Sequence, residues 1–100
     1  MQEKEIERKL KKRVEAMGCL CLKFESPGFV GVPDRIILMP GGEALFVETK
    51  APGKKERPRQ ELVQKKFRSM GFIVVSSVDG EEGIKKVEKL IDSYMQRSQW

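Results

Sequence analysis

One hundred residues with 39% hydrophobic and 35% charged side chains describe one soluble domain, spanning residues 1–100, with a single core and no room for a separate cofactor-binding domain. No apolar run approaches the roughly 20 residues a membrane-spanning helix needs, and the opening MQEKEIERKLKKRVEAMG is charged from its third residue without the apolar stretch of a secretory signal, so a cytoplasmic location is expected. Twenty Lys and Arg against fifteen Asp and Glu leave a net charge of +5 and a pI near 9.4, a balance that suits a polyanionic partner such as nucleic acid.

In chain order, Ile6, Leu10, Val14 and Met17 repeat at spacings of four, four and three among charges, which predicts an amphipathic helix from about Glu3 to Met17, ended by Gly18. Cys19 to Phe24 reads as a short strand broken by Ser26, Pro27 and Gly28. Its two cysteines are the only ones in a chain without histidine, too few ligands for a zinc site. They read as small apolar side chains sharing one face of a strand in a reducing compartment. Val32 to Met39 and Ala44 to Lys50, joined by Pro40, Gly41, Gly42 and Glu43, make a hairpin. The stretch APGKKERPRQ is a basic loop. From Pro58 a second helix is expected to run to about Met70, with Leu62, Val63, Phe67 and Met70 as its apolar side and Gly71 as its terminator. Phe72 to Val78 is a further strand. After Asp79 and Gly80 comes a last helix with Ile84, Val87, Ile91 and Tyr94 on one stripe. The order αβββαβα contains a strand, helix, strand unit whose strands should be parallel, so the expected fold is α/β, a mixed sheet flanked by helices.

The hairpin raises the chemical question. Glu48 and Lys50 close the apolar run Ala44 to Val47, and Pro33-Asp34 precedes the other run, so charges stand where burial is costly unless they are paired or bound to a metal. Strand alternation puts Glu48 and Lys50 on one face and turns Thr49 away. Counting back from the turn brings Asp34 to within about a residue or two of their level. Two converging carboxylates form a hard oxygen site suited to Mg²⁺ or Mn²⁺. Such an ion promotes attack of water on a phosphodiester, with Lys50 available to orient the water or offset the developing charge. Glu-x-Lys alone carries little, since Glu7-Arg8-Lys9 has the same spacing on a charged helix. The ordinary alternative is a Glu48–Lys50 ion pair at the sheet edge.

Gly31-Val32-Pro33-Asp34-Arg35, then Glu48-x-Lys50, resembles the PD-(D/E)xK nuclease superfamily, and in particular its virus-type, free-standing VRR-NUC family. The likeness extends through KFESPGFVGVPDRIILMPGG, FVETKAPGKKERPRQ and GFIVVSSVDG. It implies a restriction-endonuclease-like core, divalent metal held by Asp34, Glu48 and the backbone carbonyl of Thr49, and water activation by Lys50. The related archaeal-type Holliday junction resolvases also use a glutamate of the first helix. Glu3 and Glu7 compete for that role, and Glu7, eleven residues before Gly18, has the spacing associated with the resolvase helix. Gln60 matches the family glutamine after the basic loop and is otherwise an ordinary first-turn residue. Lys23 is a candidate for the scissile strand, and Lys54, Lys55, Arg57 and Arg59 for the phosphate backbone, although a charge run is most often a solvated loop.

The expected function is therefore a Mg²⁺- or Mn²⁺-dependent, structure-selective DNA endonuclease of a bacterial or phage-infected cell, a homodimer acting on branched DNA such as four-way junctions. Phe29 and Val30 in a turn, and Tyr94 and Met95 beside the last helix, are the apolar residues left for a dimer contact. The rival reading is a nucleic-acid-binding module that retained the fold without catalysis, against which the intact Asp34, Glu48 and Lys50 argue.

Overall fold

The computed structural model describes residues 2–98. Helix α1 (Glu3–Ala16) leads into strands β1 (Leu20–Lys23), β2 (Arg35–Met39) and β3 (Glu43–Thr49). Helix α2 (Pro58–Ser69), strand β4 (Ile73–Val78) and helix α3 (Glu81–Ser98) follow. The strands form one sheet in the order β1-β2-β3-β4, antiparallel except for the parallel β3–β4 pair. The parallel pair is the one joined through α2, as a strand, helix, strand crossover requires. The expected α/β order αβββαβα is the observed one. No helix among the described residues is long and apolar enough to cross a membrane.

The two faces of the sheet are covered unequally. On one face, Ile6, Leu10 and Val14 of α1 and Ile84, Val87 and Ile91 of α3 are fully buried against Cys21, Ile37, Leu45, Val47 and Val75. Both cysteines are free thiols facing this core, as their spacing predicts. Outside it, Arg13 bonds to both Glu81 and Glu88 while Lys9 pairs with Glu81 at 3.0 Å. These bonds hold the Glu81 carboxyl down at about 2. The network pins α1 to α3, and so positions the helix that carries Glu3 and Glu7.

The opposite face is covered by α2 alone, over a cluster in which the ring of Phe46 lies 5.4 Å from Phe24, 5.0 Å from Phe67 and 5.8 Å from Phe72. Here the expected apolar side of α2 is corrected. Val63 and the polar Gln64 are buried, Phe67 is half-buried, and Leu62 and Met70 are exposed at 58% and 64%. One helix cannot shield four strands, so Leu20, Leu22 and Leu38 at the β1 end of this face are exposed as well. Tyr94 and Met95, expected to be left over for a partner, are partly buried against the main core.

The segment between β1 and β2 is drawn onto α2 at Gly31. Its φ is +98°, and a Cβ there would lie 2.9 Å from Cγ of Arg59 and 3.2 Å from Val63. Only glycine allows both that backbone conformation and that approach.

Candidate active site

Asp34, Glu48, Thr49 and Lys50 meet where β2 begins and β3 ends. Met39 pairs with Glu43 across the Pro40-Gly41-Gly42 turn, and Arg35 pairs with Val47, which puts Asp34 at the level of Glu48. Asp34 precedes the strand by one residue, so its carboxylate is not bound by strand alternation. It accepts bonds from the Thr49 N–H at 3.1 Å and the Thr49 hydroxyl at 2.5 Å. Thr49 is fully buried and its hydroxyl reaches Asp34, a contact that strand alternation alone does not predict.

The sheet is irregular at this point. Val47 pairs with Val75 but Thr49 with Val78, so β4 carries an extra residue opposite Glu48. The bulge is taken up at Ser77, which has φ of 55°, an uncommon conformation for a residue with a Cβ. Glu56 of the basic loop holds it there, accepting from the Ser77 N–H at 2.8 Å and the Ser77 hydroxyl at 2.5 Å. Burial would raise the Glu56 pKa, but the Ser77 bonds and other hydrogen bonds outweigh it and hold the carboxyl below its ordinary range. Bulges commonly re-aim side chains beside active sites. Neither Glu56 nor Ser77 was singled out in the sequence, because no periodicity marks an acid at the foot of a basic loop.

Glu48 is 4% exposed and Lys50 9%, and Lys50 Nζ stands 3.3 Å from Glu48 Oε2. Lys50 also donates to Gln60 Oε1 at 2.8 Å, and Gln60 Nε2 lies 3.4 Å from Glu48 Oε2. The position of Gln60 follows from helix capping. With Pro58 as the first residue of α2, the third-position side chain folds back to accept the N–H of Arg57 at 2.9 Å, which satisfies one of the helix's unpaired donors. The same oxygen is thereby fixed on Lys50.

Burial pushes the Glu48 carboxyl up to about 7, and the neighbouring Asp34 charge adds to it against the opposing pull of Lys50. The Asp34 carboxyl is also raised, first by burial, against the two Thr49 bonds, and further by Glu7 and then Glu3. Glu7 is bound by Arg35, 3.2 Å from its Oε1. The exposed Glu3 lines a hollow of about 320 Å³ with Lys50, Lys54, Lys55 and Arg57.

The remaining basic residues divide. Lys54, Lys55 and Arg57 surround the hollow over Lys50. Arg59 turns the other way, its guanidinium 5.0 Å from the Phe29 ring centre and its Nε donating to the Val30 carbonyl at 2.9 Å. Lys23 is exposed on the edge strand, 4.0 Å from Glu25.

Among the described residues no three acidic, histidine or cysteine side chains stand close enough to hold an ion between them. Two carboxylates do suit a hard cation that keeps several of its waters. The pKa of Glu48 is raised first by burial and then by the Asp34 charge, and a bound cation would offset both.

No family model matches the chain. Among curated proteins it is 40% identical over 75 residues, 75% of its own length and 81% of the relative's, to "Putative nuclease p44" of Acyrthosiphon pisum secondary endosymbiont phage 1. Among solved structures it is similar to a chain titled "VRR_NUC domain", with a TM-score of 0.76 and 33% identity, covering 92% of this chain and 96% of that one. With this fold and these relatives, the protein is a nuclease. It belongs to the VRR-NUC family.

Proposed function

We propose that the chain is a Mg²⁺- or Mn²⁺-dependent DNA endonuclease that cuts branched DNA, four-way junctions above all, as a homodimer. The observation that carries the catalytic part is the buried Glu48, held beside Asp34 and 3.3 Å from Lys50 at the end of an apolar strand, where two carboxylates share one amine and such costly buried charge clusters gather at functional sites.

Asp34, Glu48 and the Thr49 carbonyl would hold the ion, and Glu7, bound by Arg35, would bear on it through water. Bound there, the ion supplies Lewis acidity to the phosphodiester and to water. Lys50 orients the attacking water and donates to the oxygen on which charge develops. Gln60 positions Lys50 through the 2.8 Å bond, and its helix N-terminus favours phosphate. Lys23, Lys54, Lys55 and Arg57 take the phosphate backbone. Arg59 serves the same strand further along α2. Because such contacts release counterions without reading bases, replacing Lys54, Lys55 and Arg57 with alanine should weaken binding to every DNA tested by similar factors. The slope of log affinity against log salt should flatten by roughly 2 to 3. An unchanged slope in a fluorescence-anisotropy titration would return the loop to a solvated surface.

The homodimer reading rests on symmetry and on apolar surface. A domain with one active site needs a partner to make two symmetric cuts, and two-fold dimers are the commonest soluble oligomers. Leu20, Leu22 and Leu38 beside the open edge of β1 offer the patch, as edges and bare apolar faces favour pairing. The test is light scattering for mass, then cleavage of a cruciform held on a supercoiled plasmid. A dimeric mass with linear product from paired nicks is expected. A monomeric mass at micromolar concentration, with only nicked circles released, would leave a simple nickase.

A further inference from the structure

An apolar groove of about 420 Å³ runs between Phe29 and α2, lined by Phe29, Leu62 and Val63 with Arg59, Lys65 and Lys66 around it. Phe29 remains 43% exposed and Leu62 58% exposed, although each would be more stable covered. No carboxylate lines the groove. It is linked to the catalytic site through an intervening hollow that shares lining residues with both. A second hollow, bordered also by Glu25, shares Phe29 and Arg59 with the groove and touches Gln60 and Arg57, and Arg57 in turn borders the hollow over Lys50. Cations thus border each hollow in turn, Lys54, Lys55 and Arg57 with Glu3 over Lys50, then Arg57 and Arg59, then Arg59, Lys65 and Lys66, with the Phe29 ring beside this discontinuous track.

We propose that this groove receives an unstacked nucleobase of the strand being cut, one or two nucleotides from the scissile phosphate, with Arg59, Lys65 and Lys66 on its flanking phosphates. This deepens the nuclease reading and rests on it. Apolar walls with a cationic rim match a base with its phosphates, and an aromatic ring beside a basic track is the usual platform for single-stranded nucleic acid. The spacing agrees. Gln60, which bonds Lys50, precedes Val63 and Lys66 by three and six residues, about 4.5 and 9 Å along the helix axis. The bound strand would therefore have to open beside the cut, which a branch point, where stacking is interrupted, allows far more readily than a continuous duplex does. An acidic peptide would fit the same charges but has no reason to lie on a track that ends at Lys50.

The test is equilibrium binding of the full chain in EDTA, which does not depend on cleavage. The probes are forked DNAs with a thymidine or an abasic residue at successive positions beside the branch. For the wild type, one abasic position should weaken binding by about tenfold. Phe29→Ala should weaken binding to the intact fork by a similar factor and become indifferent to that abasic position. Leu62→Ala, at an exposed helix position where folding is not at risk, should do the same. 5-Iododeoxyuridine at the sensitive position should photocross-link to Phe29. Wild-type binding equally tight at every abasic position would overturn the inference, as would variants that keep full affinity for DNA but lower the mass seen by light scattering, which would make the groove a protein contact. A chain that binds forks this way yet cuts none would overturn the nuclease chemistry and keep the groove. A chain that cuts forks while indifferent to abasic residues would do the reverse.

Discussion

Asp34→Asn, Glu48→Gln and Lys50→Ala should each lower the rate of phosphodiester cleavage by roughly a thousandfold or more without unfolding the protein. The three groups lie at the sheet's end, outside the fully buried cluster formed by Ile6, Leu10, Ile37, Leu45, Ile84 and Ile91, so the main core does not depend on them. Their proposed work is confined to the transition state, where each meets a different part of the developing charge. Gln60→Ala should fall between these variants and wild type. It removes the acceptor that holds Lys50 at 2.8 Å but no group that holds the ion. Single-turnover cleavage at saturating Mn²⁺, with circular dichroism for the fold, separates the cases. A Glu48→Gln protein that cut at the wild-type rate would refute the assignment of metal to this pair.

Without metal, the protein should lose stability as pH rises from about 4.5 to 8. The Glu48 carboxyl is raised to about 7 in the folded chain from an ordinary 4.5. Between those values the native state binds the proton more tightly than the unfolded chain does. The contribution is therefore fully present below the unfolded value and disappears as pH climbs through the folded one. A shift of that size corresponds to about 3 kcal/mol, and the raised Asp34 carboxyl acts in the same direction. Urea denaturation in EDTA across this range should show the decline, and Glu48→Gln should remove most of it. Saturating Mg²⁺ should restore stability at the high end, since a ligand of the native state alone stabilises by mass action. A flat profile in the wild type would mean that Glu48 is already neutralised by Lys50, and that the pair is an ordinary buried ion pair.

Much of this site could be read in the chain because it lies close to a tight turn. The Pro40-Gly41-Gly42 connection leaves little freedom in the register of β2 against β3, so counting from it brings Asp34 level with Glu48. The helix start at Pro58 is written in residue types, but Gln60 stood out only through the family resemblance, and its contact with Lys50 was not legible, since that depends on where α2 docks. The bond from the Thr49 hydroxyl to Asp34 was not legible either. Alternation holds inside a ladder, and Asp34 lies just outside one, while the bulge in β4 on the far side of β3 is not announced by a single strand's residues.

Local periodicity and breakers determined the element order and brought the acid, acid, lysine candidates to about one level of the hairpin, because each element and its turn are written in residues within a few positions of one another. The tertiary structure decided the rest. Whether an apolar residue is buried depends on which neighbour arrives to cover it. The α2 stripe of Leu62, Val63, Phe67 and Met70 looks as apolar as the α3 stripe containing Ile84 and Ile91, yet Leu62 and Met70 are exposed while Ile84 and Ile91 are fully buried, because two helices share one face of the sheet and one helix is left for the other. The separation of Arg59 from Lys54, Lys55 and Arg57 has the same origin. Pro58 starts the helix between them, and the close approach at Gly31 brings Phe29 and the Val30 carbonyl to the guanidinium, a contact 29 residues apart in sequence that no local pattern encodes.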